Sequence, residues 1–212
     1  MEYTDSELQA HELHFWTTQW HAEWDAFAEK RFKTYYNPFF DFSSMKEPIL
    51  EVGCAGIPAS SYFPLRATLI DPLLKDLLHV TRFSKIGQGN TVISESFITA
   101  ILPKNEFNSV LCFNCLDHFN NAETLFFAKT HSVLKPAGRL YLYYHLREYG
   151  KDDHLALDQS AINKEIAKYF TVIKYSEEME PEVIGWASGC RRYILEKKLI
   201  DPQLKSSSMG AN

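Results

Sequence analysis

The apolar run Ile49-Leu50-Glu51-Val52 opens into Gly53-Cys54-Ala55-Gly56-Ile57-Pro58, a turn of small residues over which a ligand can approach the backbone. About twenty residues further on, Asp71 stands at the end of a second apolar run. An acid in that place can accept hydrogen bonds from both hydroxyls of a ribose. Alone, these features fit a dinucleotide enzyme, another nucleoside-binding enzyme, or chance. A second set of residues has the chemistry of proton transfer: Asp117-His118, His145 and His154. Histidine suits that work because it titrates near neutrality. The Asp-His pair is equally suited to shaping its own loop, and His154, in the polar stretch 147–154, to simple solvation.

These residues need a scaffold that brings them to one edge. From residue 49 onward, short apolar runs alternate with stretches of helical period, the rhythm of βαβ units and a largely parallel sheet. Strands are expected at 49–52, 67–70, 91–94, 109–113, 139–145, 172–175 and 191–196, with helices at 59–64, 73–80, 122–134 and 158–169. The last two strands have no clear helix between them, so the sheet should end in an antiparallel hairpin. The fold class expected is α/β: a doubly wound, seven-stranded, mostly parallel sheet with that terminal hairpin and an N-terminal aromatic-rich helical cap. Ligands bind such sheets at the carboxyl ends of the strands, where Gly53, Asp71, Asp117-His118 and His145 would all lie.

Ahead of the first strand, Leu13, Trp16, Trp20, Trp24 and Phe27 recur at three- and four-residue intervals, placing one apolar face on a helix from about Asp5 to Lys33. The aromatic group Tyr35, Tyr36, Phe39, Phe40 and Phe42 follows, and Asn37-Pro38 within it reads as a turn into a loop. The organisation expected is a cap over 1–46, an α/β domain over 47–200 and a disordered tail over 201–212.

The chain has 212 residues, 45% apolar and 23% charged, with a formal charge of -5. It can bury a substantial core, and it has no basic stripe for nucleic acid. No apolar run approaches the ~18 residues of a membrane span, and the start lacks the basic and apolar regions of a secretory signal, so the expected compartment is the cytoplasm. The cysteines, Cys54, Cys112, Cys115 and Cys190, are read as free thiols. Cys112-x-x-Cys115 has no second half to complete a tetrahedral site, so no metal is expected.

Three motifs together resemble the class I methyltransferases that use S-adenosylmethionine. Glu51-x-Gly53 matches the opening acid and first glycine of the family turn, with Ala55 and Ile57 at the later glycine positions. Residues 107–119 are similar to the family's fourth strand and following loop, carrying Asn114-x-Leu116-Asp117-His118, with Asn108 in place of the usual acid. Leu134-Lys135-Pro136-Ala137-Gly138 is similar to the turn before the fifth strand, with Ala137 for its first glycine. The resemblance spans roughly residues 49–197. It implies S-adenosylmethionine as cofactor, with the backbone of Gly53, Ala55 and Gly56 at its amino-acid part and Glu51 assisting the ammonium through water. It further implies Asp71 on the ribose, Glu95, Ser96 and Phe97 bordering the adenine, Asn114 and Leu116 on the far side, and Trp16 closing over the methionine end.

Methyl transfer from a sulfonium is an in-line displacement, so holding the acceptor behind the methyl is the main task. A base helps where the acceptor must lose a proton, and His145, Asp117, His118 and His154 are the candidates. The partner expected is a small-molecule acceptor, without nucleic acid or membrane; a homo-oligomer is compatible with the sequence. Two other functions fit the residues: a cofactor-binding partner subunit without turnover, suggested by the alanines at glycine positions, and a dinucleotide oxidoreductase. The latter needs a glycine-rich helix N-terminus for the pyrophosphate, where this chain has Ile57-Pro58.

Overall fold

In the computed structural model, residues 5–19, 22–80, 83, 86–119, 122–146, 157–179 and 189–199 are described. Seven strands form one sheet: β1 (Ile49–Val52), β2 (Ala67–Ile70), β3 (Thr91–Ile93), β4 (Phe107–Phe113), β5 (Leu134–Leu146), β6 (Phe170–Met179) and β7 (Gly189–Lys197). Their order is β3-β2-β1-β4-β5-β7-β6. The first five are parallel, and β7 inserts antiparallel between β5 and β6. The mostly parallel sheet with its antiparallel hairpin follows the alternation in the sequence, and the order reverses between β1 and β4. That reversal opens the crevice in which doubly wound sheets bind ligands.

The helices depart further from expectation. The N-terminal segment is not one helix but α1 (Asp5–His14), a π-helical turn (Phe15–Gln19), α2 (Ala22–Arg31), a second π-helical turn (Phe32–Tyr36) and α3 (Asn37–Phe40). Asn37-Pro38 therefore continues the helix instead of ending it, because proline in a first turn lacks an N–H that would be unpaired anyway. The helix stops at Asp41, whose φ of 49° is left-handed. The helix expected at 59–64 is a single 3₁₀ turn, Ala59–Ser61, held between Pro58 and Pro64. The one expected at 73–80 is regular only over α4 (Leu74–Leu77), beyond which His79 and Val80 bond three residues back. The long helices α5 (Ala122–Val133) and α6 (Gln159–Tyr169) lie where expected, α6 capped by the Asp158 carboxylate on the Ser160 and Ala161 N–H groups. Trp20, the side chain of Trp24, His154 with its loop, and residues 201–212 lie outside the described residues.

Strand alternation sorts the side chains onto two faces. Leu50, Val52, Val110, Leu140 and Leu142 face α5 and α6, meeting Phe126, Phe127, Ile162 and Ile166. Ile49, Leu69, Leu111, Tyr141 and Tyr143 face the cap, meeting Phe32, Tyr36, Phe39, Phe40 and Phe42. That second core is largely aromatic: Tyr36 stacks on Phe113 at 5.2 Å and Phe42 on Phe63 at 4.3 Å. Cations from the sheet pin the cap, with Arg192 over Tyr35 at 4.5 Å and Lys174 over Phe39 at 4.3 Å.

Candidate functional site

The crevice begins where β1 ends. Gly53 turns the chain at a φ of 65°, its N–H donating to the Ile70 carbonyl at 2.9 Å, and a Cβ there would overlap Cys115. Ala55 also adopts a left-handed φ, 40°, in the place where the family has glycine. Its N–H donates to Asp71 Oδ2 at 2.9 Å, and the Leu73 N–H donates to Asp71 Oδ1 at 2.8 Å. Asp71 thus ties the β1 and β2 exits together, and each oxygen retains capacity to accept again. Burial pushes its carboxyl up to about 6 against those two hydrogen bonds.

Glu51 lies within β1 on the cap face. Its Oε1 accepts the Ala59 N–H at 2.7 Å, which anchors the 3₁₀ turn. Its Oε2 is buried and has no hydrogen-bond partner. Burial raises this carboxyl to about 8, more than the neighbouring Ala59 and Ser60 N–H groups lower it. A buried carboxyl oxygen left open beside a glycine turn is suited to a cationic or hydrogen-bonding group of a ligand.

Across the crevice, β4 ends at Phe113 and Asn114 turns at a φ of 55°, donating its N–H to the Tyr143 carbonyl at 2.9 Å. Asn114 Oδ1 is a second buried atom without a partner. Cys115 lies under Gly53, 3.0 Å from the Cys112 sulfur and donating to the Val52 carbonyl; burial raises its thiol, which keeps it protonated. Leu116 and Asp117 are buried in the next turn, and His118 is partly exposed. His118 Nδ1 is 3.7 Å from Glu12 Oε1, whose other oxygen accepts the Trp16 indole N–H at 3.1 Å. Trp16 packs edge-on against Phe83, and both rings crowd the position a Cβ on Gly56 would take. The cap thus reaches the glycine turn through Trp16 and the β4 exit through Glu12. Glu12 has a sequence signal in its i, i+4 spacing to Trp16 on a helix.

Other expected residues lie differently. Glu95 is exposed and Ser96 holds its turn by accepting the Thr99 and Ala100 N–H groups. Phe97 is 1% exposed and meets Phe126 edge-on at 5.6 Å, so its ring belongs to the core and offers adenine no stacking face. Asp117 is 2% exposed, and its Oδ1 lies 3.9 Å from His118 Nε2, beyond hydrogen-bond distance.

His145, near the end of β5, is drawn into a cluster. Its Nε2 is 3.0 Å from Arg31 Nη2 and 3.1 Å from the Tyr143 hydroxyl, while Arg31 Nη2 donates to that hydroxyl at 2.7 Å. Tyr143 was legible in principle, since residues two apart on a strand share a face. Arg31, 114 residues away from His145, has no such signal.

No family model matches the chain, and no curated protein matches it by sequence. Solved structures do match. The N-methyltransferase NodS from Bradyrhizobium japonicum, in complex with S-adenosyl-L-homocysteine, superposes with a TM-score of 0.69 at 14% identity, over 91% of this chain and 100% of that one. The fold is that of the class I methyltransferases. A Burkholderia thailandensis 1,6-didemethyltoxoflavin-N1-methyltransferase, with 1,6-didemethyltoxoflavin and S-adenosylhomocysteine bound, gives 0.56 at 15% identity over 84% of this chain and 90% of its own. The [4+2]-cyclase SpnF gives 0.55 at 15% identity over 72% and 74%. The class I methyltransferase fold therefore carries more than one reaction, and the site must supply the argument for function.

Proposed function

We propose that this chain transfers a methyl group from S-adenosylmethionine to a small-molecule acceptor. The observation that carries the reading is the open oxygen of Glu51, buried at the switch point between a left-handed turn and Asn114. The residues fit the cofactor. Glu51 would face its ammonium, the backbone of Gly53, Ala55 and Gly56 its amino-acid part, Asp71 its ribose, and Asn114 its far side. When bound, the cofactor supplies a methyl on a cationic sulfur; the protein's part is to orient the acceptor and exclude water. Trp16 and the cap aromatics would exclude water, and His145 is the candidate base.

A dinucleotide fits less well, because a 3₁₀ turn follows the glycine turn where a pyrophosphate needs a helix N-terminus. A binding-only subunit is disfavoured by Ala55 and Ala137, whose φ values of 40° and 59° keep the conformation a glycine would give. A small acceptor accords with the net charge of -5 and with the small molecule bound in the Burkholderia neighbour. No described helix is long and apolar enough to cross a membrane.

Thermal unfolding with S-adenosylmethionine and with NAD tests the cofactor: a ligand at a hundredfold its Kd stabilises by about 2.7 kcal/mol. Stabilisation by S-adenosylmethionine alone, followed by transfer of labelled methyl to a member of a small-molecule panel, is expected. Stabilisation by NAD instead would reject the reading.

A further inference from the structure

Arg31, Tyr143 and His145 form a closed polar triangle between cap and sheet, with sides of 2.7, 3.0 and 3.1 Å. The guanidinium is held by more than these contacts: it lies 5.2 Å over the Tyr36 ring and 5.1 Å from the Tyr143 ring. The same patch is closed on its β7 side by Cys190, which pairs with His145 in the sheet register and contacts the Tyr35 hydroxyl at 2.8 Å. His145 itself is 8% exposed.

The Arg31 contact sets the proton arrangement of the His145 ring. A guanidinium can only donate, so His145 Nε2 must accept, and an imidazole accepting at Nε2 is neutral with its proton on Nδ1. The Tyr143 hydroxyl accepts from Arg31 and lies 3.1 Å from the same Nε2, from which it can accept once Arg31 is removed. The basic nitrogen of the candidate base is therefore covered by a residue of the cap.

We propose that Arg31 is a positioning residue that holds His145 as the neutral Nδ1–H tautomer and occupies its Nε2 lone pair while the cap is docked. The proposal rests on the methyltransferase reading for its catalytic meaning: proton removal from an acceptor at Nε2 requires Arg31 to be displaced, which couples acceptor entry at the cap to release of the base. The geometric claim needs no cofactor and can be tested without one.

Long-range proton–nitrogen NMR correlation of the histidine rings in the full chain reads the tautomer, with His145 assigned by its loss in H145Q. In the wild-type protein near neutral pH, Nε2 of His145 should report as an unprotonated acceptor and Nδ1 as protonated. Arg31→Met should move the ring to the Nε2–H form, in which it donates to the Tyr143 hydroxyl. Tyr143→Phe should leave the wild-type tautomer in place. A wild-type ring protonated at Nε2 overturns the proposal, as does a folded Arg31→Met protein with the tautomer unchanged. If Arg31→Met does not fold, the wild-type and Tyr143→Phe spectra still decide. A chain that shows the Nδ1–H ring yet binds no S-adenosylmethionine would reject the function and keep this assignment.

Discussion

At β1, Glu51 keeps one oxygen on the Ala59 N–H and leaves the other without a partner, whereas at the end of β5 Arg31 Nη2, the Tyr143 hydroxyl and His145 Nε2 meet one another. Both places are buried and polar, and both lie along one sheet. The difference is in what completes them. The β1 side retains unmet hydrogen-bonding capacity that a ligand can meet, at a cost to the ligand-free protein. The β5 side is completed by the cap, so a ligand there must displace a protein group. One side is prepared for binding and the other is held closed.

The largest effect that would break this contrast comes from undocking the cap. Phe42, fully buried, stacked on Phe63 and edge-on to Phe113 of β4, links the cap to the sheet, and Phe42→Ala is expected to cost about 3–5 kcal/mol in chemical denaturation. Hydrogen exchange should then rise along the cap, and a cap that stays protected in this variant would show that the aromatic core does not hold it.

Glu51→Gln sharpens the contrast on the other side. The folded protein holds the Glu51 proton more tightly than the unfolded chain, so stability from this group falls as pH rises from about 4.5 to about 8. Asp71, raised by burial from 3.8 to about 6, adds to the same trend in the lower part of that window. Urea denaturation across this range should show that decline in the wild-type protein and a shallower one in Glu51→Gln. The cofactor's ammonium would favour the charged carboxylate, so binding near neutral pH should release a proton, seen as a calorimetric enthalpy that varies with buffer. Glu51→Gln should lose that release along with affinity.

Smaller effects are expected at the alanines. Ala55 and Ala137 hold left-handed φ values that disfavour a Cβ. Replacing Ala137 by Gly should stabilise the protein by about 1 kcal/mol or less, because the gain is partly offset by a freer unfolded chain. A midpoint that falls in denaturant would contradict the strain argument.

β1 and β2 were legible because their short apolar runs are largely buried on both faces, and they begin and end at the residues expected. The antiparallel end was legible because the sequence shows no clear helical stretch between the last two strands. The short helices were less so: Pro58, Pro64 and the tightening after Leu77 replace regular helix with turns, while the period of nearby residues still reads as helical. In the cap, two π-helical turns each widen the turn by a residue, a change that a fixed 3.6-residue period cannot carry. Among site residues, Glu51, Gly53, Asp71 and Asn114 converge because they sit at or beside strand ends whose positions the sequence sets. Phe97 was expected to border the adenine by its place after β3, but its side chain turns inward to Phe126. Arg31 was invisible because its role depends on how the cap lies across β5, which no local pattern specifies.

The central claim, that the β1 side binds S-adenosylmethionine, is tested most directly by calorimetric titration of the wild-type protein and Asp71→Ala with the cofactor and its demethylated product. The wild-type protein should bind both compounds, and Asp71→Ala should weaken them by tenfold or more, about 1.4 kcal/mol. A folded wild-type protein that binds neither compound would contradict the claim.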